Sequence, residues 1–370
     1  MVSENLRKQE VAQGGAGGAS GAIRDLVVVI CTRNRRESLR VVLESVDASA
    51  RRAPELRVGV WVVDNNGNDG TPEMLASFQG AIQVRTLTEQ RPGKAYGLNT
   101  ALEAMGTSRA DVVAFLDDDI TVAPDWVQGV AEICRRHPEC DIFTGNSHVV
   151  WPQEEVPEWM KAPRMPGWAF SVADRGAQDR ALGPGEWATG GHFWLRGRVL
   201  ATGIRFGLPL SEEFGPTGYV SDPDFQLQLQ AVGLRGMSGP DARVGHRIQA
   251  GLTDYHSLRR RAAVVGRSVP YIRSTYPTLF RRAWLLARFP RLYRIAHLGR
   301  LGVAGLRCVA ICLVPVAGLR RPWLLEGVMQ WHNNLEAVRH TARIQRRLRD
   351  NAEKVDGLRS RWRATRSGQA

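Results

Sequence analysis

Residues 112–119 have the sequence Val112-Val113-Ala114-Phe115-Leu116-Asp117-Asp118-Asp119. The five apolar residues predict a strand that is buried on both faces. The three aspartates that follow would repel one another unless a cation lay between them. Mg²⁺ and Mn²⁺ prefer such oxygen ligands and often share their coordination shell with substrate phosphates. We interpret the triplet as a metal–diphosphate site at the carboxyl end of a strand, where open α/β sheets bind ligands. The alternative is a solvated acidic turn that caps the helix near Trp126.

Strand and helix patterns alternate before this stretch. Apolar runs predict strands over Leu26–Cys31, Val58–Val63 and Ile82–Leu87. Apolar spacings of three and four predict a helix after the first run, Pro72 begins a second, and Gly93-Lys94 opens a third. Short connections between such elements are typical of an α/β fold with a doubly wound, mostly parallel, Rossmann-like sheet.

Several functional classes are disfavoured by what the sequence lacks. The first strand is not followed by GxGxxG, which argues against a dinucleotide-binding dehydrogenase, and GxxxxGK[ST] is absent. The five cysteines form no CxxC pair and their number is odd, so neither a zinc site nor a disulfide framework is indicated. Reduced thiols in a cytoplasmic protein are the simplest interpretation.

Charged residues are distributed unevenly along the chain. The formal net charge is +13, yet the first 250 residues carry 26 Lys and Arg against 31 Asp and Glu, and the last 120 carry 24 against 6. A strongly basic C-terminal third could face anionic lipid or nucleic acid. At the other end, residues 1–22 are polar and then rich in Gly and Ala, without the apolar core of a signal peptide, and we expect a disordered arm.

The N-terminal half of the chain resembles the inverting family 2 glycosyltransferases, which have the GT-A fold. The resemblance rests on the order and spacing of several segments: Val28–Arg35, Val62–Asn65 with Asp69-Gly70-Thr71, Gly93-Lys94 with Asn99, and Phe115–Asp119. It implies a nucleotide-sugar site formed by Thr32, Arg33, Asn34, Asp64, Asn65, Gly93, Lys94, Asn99, Asp117 and Asp118. It also implies that Asp119 binds Mn²⁺ or Mg²⁺. Because the triplet leaves the register open by one residue, Asp117 is a second candidate ligand, and His246 at the end of a late strand is a third.

The resemblance also identifies a candidate catalytic base. The family pattern is a Glu-Asp pair at the start of a helix, and Ser221-Asp222 stands at that place here. We therefore assign Asp222 as the base, with Asp224 as second choice. An inverting transfer requires one carboxylate within hydrogen-bond reach of the acceptor hydroxyl. The alternative is that Ser221 or Asp222 only caps the helix and Asp224 complements its dipole.

Candidate acceptor residues are Trp187, Gly191 and His192. The tryptophan lies in a segment rich in Trp, Pro and Gly, where indoles either stack on sugars or pin a long loop to the body. Gly191 and His192 belong to Gly190–Arg196, which resembles the segment before the family's acceptor site. Many members have Asn where this chain has His192, so a structural role for this histidine is the alternative.

The C-terminal third is predicted to be helical and basic. Residues 301–319 are its most apolar stretch, but they include Arg307 and Pro315. A central Arg costs about 2.5–3.5 kcal/mol on insertion scales, which argues against a spanning helix. Flanking arginines favour a monotopic hairpin or an interfacial helix on an anionic leaflet. A core helix packed on the catalytic domain is the alternative.

The sequence thus predicts four regions: an arm (1–22), a GT-A domain (23–250, with a nucleotide-binding half 23–120 and an acceptor half 121–250), a helical basic region (251–340) and a charged helical tail (341–370). The predicted activity is metal-dependent inverting transfer from a nucleotide-diphosphate sugar to a hydroxyl of a polysaccharide, a lipid-linked acceptor or a small secondary metabolite. The predicted location is the cytoplasm, with peripheral contact at the inner face of the plasma membrane and no nucleic-acid partner. The rival hypotheses are a non-catalytic membrane or nucleic-acid binder and an inactive family member.

Overall fold

A computed structural model describes residues 23–106, 110–152, 155–162, 165, 167–188, 191–207, 221–276, 279–280, 289–312, 317–341, 355–360 and 362–363. The predicted N-terminal arm, Gly190, the segment 208–220 and most of the predicted tail lie outside the described residues.

The first half of the fold consists of alternating strands and helices. The elements are β1 (Asp25–Thr32), α1 (Arg36–Ala50), β2 (Arg57–Asp64), α2 (Thr71–Ser77), β3 (Gln83–Thr88), α3 (Lys94–Met105) and β4 (Val112–Asp117). The four strands pair in parallel in the order β3-β2-β1-β4. In this register Thr32 lies opposite Asp64, and Cys31 lies opposite Asp117. The polar residues that end these strands therefore reach one edge of the sheet together, as the sequence predicted.

The second half adds antiparallel pairs to the same sheet. Its elements are β5 (Ile120–Val122), α4 (Trp126–Arg136), β6 (Ile142–Val150), α5 (Gly167–Phe170), β7 (Arg180–Ala181), β8 (His192–Arg196), α6 (Ser221–Ala231) and β9 (Gly236–Arg247). β8 runs antiparallel between β4 and β6, and β9 pairs with β6 in parallel and with β5 and β7 in antiparallel fashion. The described residues thus form a mixed sheet of nine strands.

Apolar layers cover both faces of this sheet, which explains the unbroken apolar strands. On one face, Leu39 and Leu43 of α1 and Trp126 of α4 pack against alternate strand residues. On the other face lie helix α3 and a group of aromatic rings: Phe115, Phe193, Phe206 and Phe225. Phe206 and Phe225 stack with ring centroids 4.1 Å apart, which anchors α6 on the sheet.

Three long helices follow the sheet: α7 (Tyr255–Thr275), α8 (Pro290–Cys312) and α9 (Ala317–Arg339). The Asp254 carboxylate caps α7 by accepting from Ser257 N at 2.9 Å. α7 and α9 cross closely at Gly266, where a Cβ atom would lie 2.3 Å from the Met329 carbonyl oxygen. Within the described parts of the chain, no helix has the length and apolar character needed to cross a membrane. The division into four regions stays a prediction.

Candidate functional site

Thr32 joins the ends of three strands at the sheet edge. Its Oγ1 donates to Asp118 Oδ2 at 2.8 Å, and its carbonyl oxygen accepts from Asn65 N at 2.9 Å. Asp64, its partner in the register, is buried and accepts from Gly67 N at 3.0 Å. The fold thus brings Thr32, Asp64, Asn65 and Asp118 together.

Basic side chains from other parts of the chain neutralise the aspartate triplet. Lys94 Nζ lies 2.5 Å from Asp117 Oδ1. Arg35 Nη1 lies 2.8 Å from Asp118 Oδ1 and 3.1 Å from Asp119 Oδ2. The expectation that a metal ion is needed to offset the repulsion within the triplet was therefore wrong, because basic partners come from the β1–α1 loop and from the start of α3. The alternative of a helix cap fails too, since β5 separates the triplet from α4 and the Asp125 side chain at the start of α4 makes no capping bond.

Lys94 links Asp117 to Asp222. Its ammonium lies 2.7 Å from Asp222 Oδ2, so the first residue of α3 and the second residue of α6 meet at the sheet edge. Burial by itself would lower the pKa of Lys94, but the charges of Asp117 and Asp222 raise it above its usual value. Lys94 is therefore a cation held by two carboxylates.

The loop before Lys94 is held by the side chain of Asn65. Asn65 Oδ1 accepts from Gly93 N at 2.7 Å, and its Nδ2 donates to the Arg91 carbonyl at 2.7 Å. Gly93 adopts a φ of +140°, which favours glycine. Glu89 secures the loop further by accepting from Arg91 Nη2 at 2.7 Å and from Thr100 Oγ1 at 2.6 Å. These bonds fix the start of α3 and hence Lys94.

Asp117 packs directly on Gly191. The Asp117 amide donates to the Gly191 carbonyl at 3.1 Å. Gly191 has a φ of +55°, and a Cβ atom there would lie 2.1 Å from Asp117 Cγ. Gly191, a predicted acceptor residue, thus packs against the Asp117 side chain, and only a glycine fits at this position.

Asp119 faces His246 across the β5–β9 pair. His246 Nδ1 lies 2.6 Å from the Phe170 carbonyl, and because a carbonyl can only accept, Nδ1 carries the proton. Nε2 therefore points toward Asp119 Oδ1, at 3.4 Å. This Oδ1 is buried and has no donor in hydrogen-bond geometry among the described residues. Burial opposes ionisation of both groups, but their mutual attraction lowers the pKa of Asp119 and raises that of His246.

Asp119 Oδ1 and His246 Nε2 point toward each other. A divalent cation accepts a carboxylate oxygen and an imidazole nitrogen as ligands. Asp119 and His246 fit a metal ion on that ground. Among the residues that the structure describes, however, no group of three or more His, Cys, Asp or Glu side chains is arranged around one point.

Arg35 is a candidate site residue that the sequence analysis did not select. Besides Asp118 and Asp119 it contacts Gln249, whose amide, oriented with its oxygen toward the guanidinium, accepts from Nη2 at 2.9 Å and from Nε at 3.2 Å. Burial would lower the pKa of Arg35, but the two aspartates raise it. The available signal was the basic run directly after the first strand. Of that run the prediction chose Arg33, which is exposed.

Three of the predicted site residues form hydrogen bonds with other residues of the protein. Asn34, at a φ of +53°, accepts from Asn68 N at 2.7 Å. Asn99 donates to the Phe206 carbonyl at 3.0 Å and accepts from the Phe206 amide at 2.9 Å. Asp224 is buried and accepts from Tyr276 Oη at 2.6 Å and from Gln228 Nε2 at 3.0 Å. The Asn99 and Asp224 bonds hold neighbouring segments of the fold.

The two aromatic acceptor candidates lie in apolar surroundings. His192 is buried, and its Nε2 accepts from Trp126 Nε1 at 2.9 Å. Burial lowers the pKa of His192 to about 3, so the ring is neutral. Trp187 is half-buried beside a cluster that contains Tyr271 and Tyr276. The structure does not bring either side chain into contact with the aspartate triplet, and their acceptor role stays a prediction.

Residues 27–201 match the sequence model of the family described as Glycosyl transferase family 2. A glucosyl-dolichyl phosphate glucuronosyltransferase from Haloferax volcanii is 31% identical over 137 residues, which is 36% of this chain and 39% of that protein. The glycosyltransferase AglE from the same organism is 30% identical over 128 residues, 34% of this chain and 40% of its own length. The chain therefore spans well under half of these two relatives. A mannosyltransferase from Pyrobaculum calidifontis, solved with GDP-Man and Mn²⁺, superimposes with a TM-score of 0.54 at 16% identity, covering 90% of this chain and 93% of that one.

Proposed function

We propose that the protein transfers a sugar from a nucleotide-diphosphate sugar to an acceptor hydroxyl, with inversion. Two facts support this proposal: residues 27–201 belong to glycosyl transferase family 2, and the chain has the GT-A fold. One observation carries the proposal. Asp117 and Asp222, far apart in sequence, bind the same ammonium group of Lys94 at the carboxyl edge of the parallel strands. A candidate base thus lies beside the candidate diphosphate site.

The donor would bind along the edge formed by the first strands. Thr32, Asp64 and Asn65 offer hydroxyl, carboxylate and amide groups for a base and a ribose. Lys94 and Arg35 offer the cations that a diphosphate requires. The structural neighbour with bound GDP-Man supports a donor of this class. The base and the sugar of the donor are left open.

A divalent cation, Mn²⁺ or Mg²⁺, would be held by Asp119 and His246, with Asp117 as a further candidate ligand. The buried Asp119 Oδ1, which accepts no hydrogen bond from any residue that the structure describes, supports this assignment. When bound, the ion would supply Lewis-acid stabilisation of the leaving diphosphate. Arg35 bonds the other oxygen of Asp119 and would hold the carboxylate in place.

Asp222 would act as the base. In the proposed step the acceptor hydroxyl gives its proton to the Asp222 carboxylate while its oxygen bonds to the anomeric carbon. The bond from that carbon to the phosphate oxygen breaks, and the nucleoside diphosphate leaves with the electron pair. For this step Lys94 must release Asp222, and the donor diphosphate is the anion that would draw the ammonium away. Asp224 is less suited, because both of its carboxylate oxygens already accept hydrogen bonds.

We propose that the acceptor is a hydroxyl of a polysaccharide, of a lipid-linked molecule or of a small metabolite. The proposed location is the cytoplasm, with peripheral membrane contact through the basic helices.

A panel of nucleotide sugars with Mn²⁺ or Mg²⁺, scored for slow donor hydrolysis and for binding, tests the activity. Metal-dependent binding of one donor that Asp119→Ala abolishes supports the proposal. Salt-sensitive oligonucleotide binding without donor binding would favour the non-catalytic rival, and donor binding without hydrolysis or transfer would favour an inactive family member.

A further inference from the structure

Helix α5 is only four residues long, yet it supplies the contact that orients His246. The carbonyl of Phe170, its last residue, accepts from His246 Nδ1 at 2.6 Å, and with this bond in place Nε2 points toward Asp119. A helix of about one turn has little stability of its own, because nucleation costs more than the few bonds return. The orientation of the His246 ring therefore depends on what holds α5 in place.

Helix α9 holds the start of α5 through a polar contact. Trp168, the second residue of α5, donates from Nε1 to Glu326 Oε2 at 3.0 Å. The other oxygen of Glu326 accepts from Gln330 Nε2 at 3.2 Å, one turn further along α9. The carboxylate is thus fixed on its own helix. Because hydrogen bonds to a carboxylate are stronger than those between neutral groups, it is well suited to hold the indole.

Helix α7 holds the other end of α5. Arg261 is buried and donates from Nη2 to the hydroxyl of Ser171, the residue directly after α5. Ser171 has a φ of +50°, a conformation that costs energy for a residue with a side chain. The next amide, that of Val172, donates to the Gly167 carbonyl at 3.0 Å and closes the turn. A side chain of α7 therefore fixes the chain where it leaves α5.

Apolar packing joins the same elements to the strand that carries His246. The Phe170 side chain lies in a buried cluster that also contains one residue from each neighbouring element: Ile248 after β9, Leu258 of α7 and Leu325 of α9. This packing places α5 between the sheet and the two long helices. The polar contacts at its two ends are the part that a conservative substitution can remove.

We propose that Trp168 and Ser171 are positioning residues for His246, because helices α9 and α7 hold α5 through these two side chains. Metal-binding histidines commonly donate the proton of their second nitrogen to a backbone carbonyl, and loss of such outer contacts typically lowers metal affinity about 10–100-fold. Here the two contacts would fix the Phe170 carbonyl, and the carbonyl would fix the ring. The inference rests on the proposed function, since it takes His246 as a ligand of the divalent cation.

The first measurement uses the full chain without metal ion or nucleotide sugar. Nuclear magnetic resonance of protein with ¹⁵N-labelled histidine follows exchange of the His246 Nδ1 proton with solvent, and His246→Ala identifies its resonance. Trp168→Phe removes the indole donor but keeps an aromatic ring, and Ser171→Ala removes the hydroxyl acceptor. We expect each variant to speed the exchange at least about threefold, because loss of one hydrogen bond loosens α5. Trp331→Phe is the control, because Trp331 of α9 is 38% exposed.

The second measurement is Mn²⁺ affinity without nucleotide sugar, from electron paramagnetic resonance of the free ion. We expect Trp168→Phe and Ser171→Ala to bind Mn²⁺ about three- to tenfold more weakly than the parent, with Trp331→Phe within about twofold of it. The same two substitutions in a His246→Ala background should cause no further loss, since the ring that they position is absent. This lack of additivity separates positioning from a general loss of folding, which would weaken binding in both backgrounds.

The outcomes also separate this inference from the proposed function. Unchanged proton exchange in both variants would overturn the positioning role, as would unchanged Mn²⁺ affinity or equal losses with and without His246. Should Trp168→Phe fail to fold, Ser171→Ala decides by the same two measurements. If the parent binds no Mn²⁺ while both variants still speed the exchange, the metal assignment falls and the positioning of the His246 ring stands.

Discussion

The ammonium group of Lys94 lies 2.7 Å from the Asp222 carboxylate. We propose that Asp222 removes the acceptor proton, and in the structure its carboxylate is paired with the Lys94 ammonium. The candidate base is therefore paired with the cation that we propose meets the donor diphosphate. This relationship makes Lys94 a residue whose removal has two separable effects.

Lys94→Met should reduce both stability and donor affinity. The substitution leaves the Asp117 and Asp222 carboxylates facing each other without a counter-ion, and we expect the free energy of unfolding to fall by about 1–3 kcal/mol. Urea unfolding measures the first effect, and titration with a nucleotide sugar measures the second. Lys161→Met is the control, because Lys161 pairs with the exposed Glu158 and should change stability by about 0.5 kcal/mol or less. Equal stability of the two variants would contradict the bridging role.

Asp222→Asn should stop transfer and spare donor binding. An amide cannot take the acceptor proton, and loss of general-base catalysis typically lowers the rate about 10²–10⁴-fold. Single-turnover assays and donor titration separate the two steps. Asp224→Asn is the comparison, because the buried bond from Tyr276 predicts a loss of stability in place of a selective loss of the chemical step. Full turnover by Asp222→Asn would remove it as the base.

Asp119→Ala should abolish metal-dependent nucleotide binding, and His246→Ala should weaken it about tenfold or more, because each removes one of the two ligands that we propose for the ion. Titration of Mn²⁺ followed by electron paramagnetic resonance measures the free ion directly. His192→Ala is a useful contrast, since the His192 ring bonds Trp126 in the interior and makes no contact with Asp119. The metal assignment fails if Mn²⁺ binds Asp119→Ala as tightly as the parent.

Much of the sheet edge at which we propose that the donor binds could be predicted from the sequence. Thr32, Asp64 and Asp118 directly end or follow apolar strands, and parallel register brings such ends together. Local patterns predict the parallel pairing, because each strand is followed by its own helix. The fold class is confirmed for the same reason.

The ion pairs of the site could not be predicted from the sequence. Arg35 directly precedes α1 and Lys94 begins α3, and nothing in their local sequence states which carboxylates they meet. The antiparallel insertion of β8 between β4 and β6 is likewise set by long-range pairing. A histidine that bonds Trp126 in the interior, such as His192, has no sequence pattern that separates it from a histidine at a binding surface.

Glu89 should make stability depend on acid pH. Hydrogen bonds from Arg91, together with that from Thr100, outweigh burial and lower the pKa of Glu89 from 4.5 to about 2. A depressed pKa contributes stability that is present above the unfolded value and is lost as the pH falls from about 4.5 toward 2. Glu89→Gln should therefore be less stable than the parent at pH 6, and the difference should shrink on acidification. Denaturant unfolding at pH 6 and at pH 4 tests this, and a constant difference would contradict it.

Gly191→Ala should disturb Asp117 as well as the backbone. The added Cβ would lie 2.1 Å from Asp117 Cγ at a φ of +55°, so the carboxylate must leave its place beside Lys94. Gly203→Ala is the matched control, because Gly203 has a φ of +64° but no heavy atom lies within 4 Å of its would-be Cβ. We expect Gly203→Ala to cost about 1–2 kcal/mol from backbone strain alone, and Gly191→Ala to cost more and to weaken donor binding. Equal losses of stability in the two variants, with donor binding unchanged, would mean that Asp117 tolerates displacement and that Gly191 serves the backbone alone.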